Sequence, residues 1–231
     1  MKTRMMLTLA AAAAMTPVAY GSPLLKITEV YEGLPGDDVT GDWIEISNFG
    51  DMPFVFGTDG DLFYDDSSAD PTTDEKVTGI TSIAPGEAVV VVLENDPAEV
   101  TTFITSWGLS ASVQVGYLLG DNPGGLSQGG ETLYLFDSNG AGAGTVDAVS
   151  YTGNDADAAV KGATWTYNLG DDTFDGILQS IAGVDGAFVA PVAGGDFGEY
   201  PLIGSPGVIP EPASLALLGL GGLALATRRR V

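Results

Sequence analysis

The chain has 231 residues, 31 Asp and Glu against 8 Lys and Arg, no Cys and no His, for a formal charge of -23. Those counts exclude Ser–His–Asp and Cys–His catalysis, ordinary zinc sites and disulfides. The charge argues against nucleic acid as a partner, because phosphate backbones attract Lys and Arg.

The N-terminus reads as an address. Lys2 and Arg4 precede an apolar run from Met5 to Met15, and Ala19 and Gly21 are small residues just before Ser22. That order predicts a secretory signal peptide over residues 1–21. A buried N-terminal helix is the alternative.

Residues 22–208 read as one all-β domain. Leu25 to Tyr31 and Asp42 to Asn48 alternate with period two. Pro53 to Phe56, Leu62 to Tyr64 and Lys76 to Ile80 are shorter strand candidates, and Ala88 to Leu93 is apolar throughout. The last of these predicts a central strand buried on both faces. One helix is expected near 96–107. Asp96 caps it, Pro97 and Glu99 complete the start signal, and Val100, Phe103, Ile104 and Trp107 recur at helical spacing before the stop at Gly108. Its apolar stripe is core, with Trp107 expected to plug the end of the fold. Glu131 to Asp137 and Thr145 to Tyr151 flank Ser138-Asn139-Gly140 and predict a hairpin. Ala163 to Tyr167 is a later strand.

The C-terminus is a second address. Pro210-Glu211-Pro212 leads into the apolar run Ala213 to Thr227, followed by Arg228, Arg229 and Arg230. The run is 15 residues, short of the ~20 that span a bilayer untilted, and the arginines fit a cytoplasmic-side stop. Together these pieces over 209–231 resemble a PEP-CTERM sorting tail. The resemblance implies transient membrane insertion, recognition by an exosortase-type membrane transpeptidase near the Pro-Glu-Pro motif, and delivery to the surface or extracellular matrix of a Gram-negative cell. A retained C-terminal membrane anchor is the alternative. Between the two addresses, 30 acidic residues face Lys26, Lys76 and Lys161, a formal charge of -27 with no Arg. Such a surface repels itself, and it must be hydrated, screened or bridged by cations.

The domain resembles a lamin tail domain. Lys26-Ile27-Thr28-Glu29-Val30 matches the opening strand of that family, and Asp42-Trp43-Ile44-Glu45-Ile46-Ser47-Asn48-Phe49-Gly50 is the most specific match. Ile83-Ala84-Pro85-Gly86-Glu87 with Val89 to Val92, the segments 129–137 and 146–151, Gly162-Ala163-Thr164-Trp165, and Ser205-Pro206-Gly207 are similar to later segments. The resemblance implies an immunoglobulin-like β-sandwich with no catalysis of its own. Residues 58–75 and 170–204 are longer than a minimal domain needs, and both are rich in Asp and Gly.

Glu45 lies between Ile44 and Ile46 and faces away from them. A catalytic role would require a second carboxylate ~5–9 Å away across a sugar cleft. A hydrogen bond to backbone at a strand edge is the favoured reading. The loop from Thr58 to Asp70 holds five carboxylates, and Asp59, Asp61, Asp65 and Asp66 are the calcium candidates, although their spacing departs from the EF-hand pattern. Asp37, Asp38 and Asp42 form a second cluster, and Asp171, Asp172 and Asp175 a third. The Gly124-Gly125 and Gly129-Gly130 pairs lack the Lys that phosphate loops require.

The function expected is that of a non-enzymatic, exported surface or exopolysaccharide-matrix protein with a structural or adhesive role. No cofactor is implied beyond the calcium candidates. Partners would be the sorting transpeptidase, matrix polysaccharide or other matrix proteins. The alternatives are a secreted glycan hydrolase using paired carboxylates and a membrane-anchored periplasmic binding module.

Overall fold

A computed structural model describes residues 21–34, 40–73, 75–120, 125–153, 161–169, 171–194 and 200–209. Residues 1–20 of the expected signal peptide, Asp37 and Asp38, and the tail from Pro210 onward lie outside them. Among the described residues, no helix is long and apolar enough to cross a membrane.

The domain is mostly β, with one short helix. Thirteen strands run in chain order: β1 (Leu25–Tyr31), β2 (Trp43–Asn48), β3 (Phe54–Val55), β4 (Phe63–Asp66), β5 (Lys76–Thr78), β6 (Ser82–Ile83) and β7 (Ala88–Val92). After the helix α1 (Ala98–Trp107) come β8 (Val115–Leu119), β9 (Glu131–Phe136), β10 (Thr145–Tyr151), β11 (Trp165–Thr166), β12 (Phe188–Gly194) and β13 (Tyr200–Gly204). Nine strands form one sheet in the order β10-β9-β4-β5-β8-β7-β2-β1-β11, and β12-β13 and β3-β6 form two small ribbons. Every pair in the large sheet is antiparallel except β7 and β8, which are joined through α1. A parallel pair needs such a crossover.

The sheet curls until β10 meets β1. The Ile27 amide donates to Asp147 Oδ2 at 2.8 Å, and Lys26 Nζ lies 3.3 Å from Asp147 Oδ1. The curl encloses the main core, where Ile27, Ile44, Ile46, Val89, Val91, Leu118, Leu133 and Leu135 meet. A second core lies on the other face of β2 and β7. There Trp43, Val90 and Val92 pack against Phe103 and Trp107 of α1, with Ala190 and Leu202 from β12 and β13. The alternate residues of β7 therefore bury into two different cores, as its unbroken apolar run predicts.

This second layer corrects two expectations. Trp107 does not plug an end of the fold. It stands in the outer layer, edge-on to Trp43 at 5.5 Å and to Phe188 at 5.9 Å. The stretch 170–204, read from sequence as a long insertion, supplies β12, which covers that layer.

The helix stops as its sequence indicates, but it starts one residue late: Pro97, expected as the first helical residue, is the N-cap, and no side-chain cap bond forms there. Asp96 Oδ1 accepts the Ala98 amide at 2.9 Å. Gly108 closes it at φ 63°, its amide reaching back to Ile104 and Thr105. Asn48 fixes the turn after β2. Its Oδ1 accepts the Leu24 and Gly50 amides, and its Nδ2 donates to the Met52 and Ile83 carbonyls.

Candidate functional site: a buried acid pair at the chain exit

A bulge in β1 creates the site. Ile27 pairs with Ile46 and Val30 with Ile44, but Glu29 pairs with Glu45, so Thr28 and Glu29 together oppose one residue. Both therefore reach the outer face of the sheet beside Glu45. Two carboxylates face each other across neighbouring strands, where like charges are destabilising. Both are buried, Glu29 at 0% and Glu45 at 1% exposure.

Hydroxyls and amides line the pair. Thr28 Oγ1 donates to Glu45 Oε1 at 2.7 Å, and the Thr28 and Ser47 hydroxyls are 2.8 Å apart. Thr164 Oγ1 donates to Glu29 Oε1, and Ser180 Oγ lies 3.1 Å from the same oxygen. The remaining donors come from the end of the described chain. The Ser205 amide reaches Glu29 Oε1 at 2.8 Å, Ser205 Oγ reaches Oε2 at 3.1 Å, and the Gly207 amide reaches Glu45 Oε2 at 2.7 Å. The two acids thus fasten the last residues before the sorting segment to the middle of the sheet.

Among the described residues, no lysine compensates them. Lys26 pairs with Asp147, Lys76 pairs with Asp61, and Lys161 lies over the Tyr200 ring. Burial accordingly pushes the Glu29 carboxyl up to about 7, against the opposing pull of its hydrogen bonds. Glu45 is raised as well, by burial first and then by Glu29. The pair holds a proton where exposed carboxylates would hold none. A protonated Glu29 can donate to Ser205 Oγ while still accepting the Ser205 amide.

The position of Glu45 corrects its sequence reading. It does accept a backbone amide, but β2 lies between β1 and β7 rather than at an edge. Glu29, Thr164 and Ser205 were not singled out as site residues from sequence. The signal for them was present nonetheless, in the Lys26–Val30, Gly162–Trp165 and Ser205–Gly207 segments, which converge on this cluster.

The calcium candidates do not converge. Asp59 accepts the Val55 amide at 2.7 Å, and Asp61 pairs with Lys76 at 2.7 Å. Asp65 binds the Ser68 hydroxyl and the Asp70 amide. Asp66 is raised by burial and then by Glu131 and Asp65. Among the described residues, no group of three or more acidic side chains is placed to hold a metal ion. In the third cluster, Asp172 accepts the Tyr167 hydroxyl at 3.0 Å, and Asp175 caps the Ile177 and Leu178 amides, which lower its pKa. Tyr167, Asp147, Lys26, Asp172 and Phe174 line a cleft of about 200 Å³ at the β1–β10 seam.

Of the sorting and processing residues, Gly21 lies just ahead of β1. Ala19, Pro210, Glu211, Pro212, Arg228, Arg229 and Arg230 fall outside the described residues. Residues 208–230 match the PEP-CTERM protein-sorting motif. The match begins at Val208, whose backbone, like that of Gly207, bonds Glu45. The motif marks the chain as a substrate of exosortase-type sorting and implies export with a membrane-associated sorting step. The chain has no match among curated proteins or solved structures.

Proposed function

We propose that the chain is the precursor of a non-enzymatic surface or extracellular-matrix protein. Its acidic β-domain would be delivered by exosortase-type sorting to serve a structural or adhesive role. The observation that carries this reading is the sorting motif over 208–230, following directly on the last strand of the domain. The charge of the mature domain suits a hydrated matrix, since it opposes self-association.

We read the domain as lamin-tail-like and immunoglobulin-like. Support comes from the convergence of its resembling segments on Glu29 and Glu45. The curl of the sheet around the main core agrees with a sandwich. The absence of catalysis is part of the same proposal. A glycan hydrolase needs two carboxylates facing substrate, whereas Glu29 and Glu45 are sealed and committed to hydrogen bonds, and Asp147 at the seam is held by Lys26 and the Ile27 amide.

Replacing Pro210, Glu211 and Pro212 with alanine tests the reading. The altered chain should accumulate, uncut, in the inner-membrane fraction, while the parent reaches the surface and matrix fractions. Equal distribution of the two would refute it.

A further inference from the structure

The acidic shell thins around the chain exit without a break. Asp185 is the only acidic residue in 176–194 and 200–209, with Asp196 and Glu199 in the intervening segment. Asp185 lines the same depression as Ile181 and Val184, and Asp175 borders it on the Ile177 and Leu178 amides. The same region exposes large apolar side chains: Ile177 at 69%, Ile181 at 62%, Val184 at 48%, with Leu178 and Val208 beside them. Such a patch on an otherwise highly charged domain calls for a partner.

Leu178, Ile181, Val184 and Val208 share one face. Leu178, Ile181 and Val184 surround a shallow depression that Ser205 also lines. Val208 packs over the same loop, since a Cβ on Gly186 would fall 2.7 Å from Val208 Cγ1. Turn hydrogen bonds fix the loop. The Val184 amide bonds the Ile181 carbonyl at 2.9 Å, Ala187 bonds Val184 at 2.8 Å, and Gly183 bonds Ala187 at 2.7 Å.

The length of chain beyond this face sets its distance from the membrane. Glu29 and Glu45 hold the chain to the sheet as far as Val208. From Val208 to the start of the apolar run at Ala213 is five residues, which reach at most about 18 Å. As a helix, the run itself would be about 22 Å long, against about 30 Å of hydrocarbon. With three arginines held at the cytoplasmic side, the shortfall draws the exit toward the bilayer.

We propose that the surface of Leu178, Ile181, Val184 and Val208 rests on the lipid headgroups of the membrane holding the C-terminal segment. It presents the precursor to sorting with its chain exit against the bilayer. This rests on the sorting reading above, which supplies the inserted tail. Once the tail is cut, only the small apolar face remains to hold a domain that anionic lipid repels, so the domain leaves.

The chain lacks cysteine, so single labels are clean. Full-length precursor carrying Ile181→Cys or Asn139→Cys would be labelled with an environment-sensitive fluorophore. It would then be reconstituted in phosphatidylethanolamine–phosphatidylglycerol vesicles containing brominated lipid. Asn139 lies at the far end of the β9–β10 hairpin, about 20 Å from the end where the Ser150 carbonyl meets Gly176. The label at 181 should lose more than about half its emission to brominated lipid and resist aqueous iodide, with the reverse at 139. If precursor floats with the vesicles but 181 is quenched by iodide as readily as 139, the lipid-facing surface is refuted and the sorting reading stands. If 181 is shielded from both quenchers, the patch is covered by the chain's own tail or a second copy, which also refutes it. If the precursor does not float with vesicles, the inserted tail and this surface both fall.

Discussion

The acid pair contributes a pH dependence opposite in sign to that of carboxylates whose pKa is lowered in the fold, such as Asp175. Glu29 is raised from 4.5 to about 7 by burial. A raised carboxyl binds its proton more tightly in the folded state, so its contribution to stability is complete below the unfolded value. It is lost as pH rises from about 4.5 through about 7. That interval of ~2.5 pH units corresponds to about 3 kcal/mol at most. Glu29→Gln removes the titration while keeping the shape. Its carbonyl can accept the Ser205 amide, and its NH₂ can donate to Ser205 Oγ, as a protonated glutamic acid would. At pH 8 the variant should therefore be more stable than the parent by up to about 3 kcal/mol, or ~6–12 °C in Tm for a domain of this size. At pH 4.5 the two should unfold together, within about 1 kcal/mol. Urea unfolding at a series of pH values measures both. Destabilisation by Gln at pH 8, with the parent's slope between pH 4.5 and 7 unchanged, would mean that Glu29 is ionised in the fold and that the reasoning is wrong.

Three further outcomes follow from the packing. Trp43→Ala should cost about 3–5 kcal/mol in urea unfolding, because the indole packs against Phe103 at 5.4 Å and Trp107 at 5.5 Å, joining α1 to the sheet. Gly108→Ala should cost about 1–2 kcal/mol, since its φ of 63° is unfavourable for alanine and the new Cβ would lie 3.0 Å from Pro191 Cγ. Thermal melts in EDTA and in millimolar calcium should coincide, because Asp59 and Asp61 are spent on Val55 and Lys76. A calcium-dependent rise of several degrees would show that the loop carboxylates bind the ion after all.

What the sequence made legible was local. The start and stop of α1 depend on Asp96, Pro97 and Gly108, all within a few residues of the helix. Strand β7 was readable because an unbroken Val run suits burial on both faces. The turn in the β9–β10 hairpin announced itself through Asn139-Gly140. Strands β6, β8, β12 and β13 were not read, because their pairing is decided by distant partners. β8 lies parallel to β7 only because α1 returns the chain. β12 and β13 pair across a segment that reads as an Asp/Gly-rich insertion. The same limit applied at the site. Glu45 could be placed on the face opposite Ile44 and Ile46, but its position mid-sheet required β1 and β7 to be known. The bulge that brings Glu29 opposite it has no signature in Lys26–Tyr31. Counting carboxylates in the loop after Thr58 likewise could not tell whether they converge or cap separate turns.

The account stands most directly on whether the two ends are addresses. Intact mass of the protein recovered from native surface and matrix fractions tests this. The mass should correspond to a chain that has lost the segment before Ser22 and everything beyond a break near Pro210. Full-length protein in the inner-membrane fraction, with Arg228, Arg229 and Arg230 still attached, would contradict it and leave the domain a tethered module of the envelope.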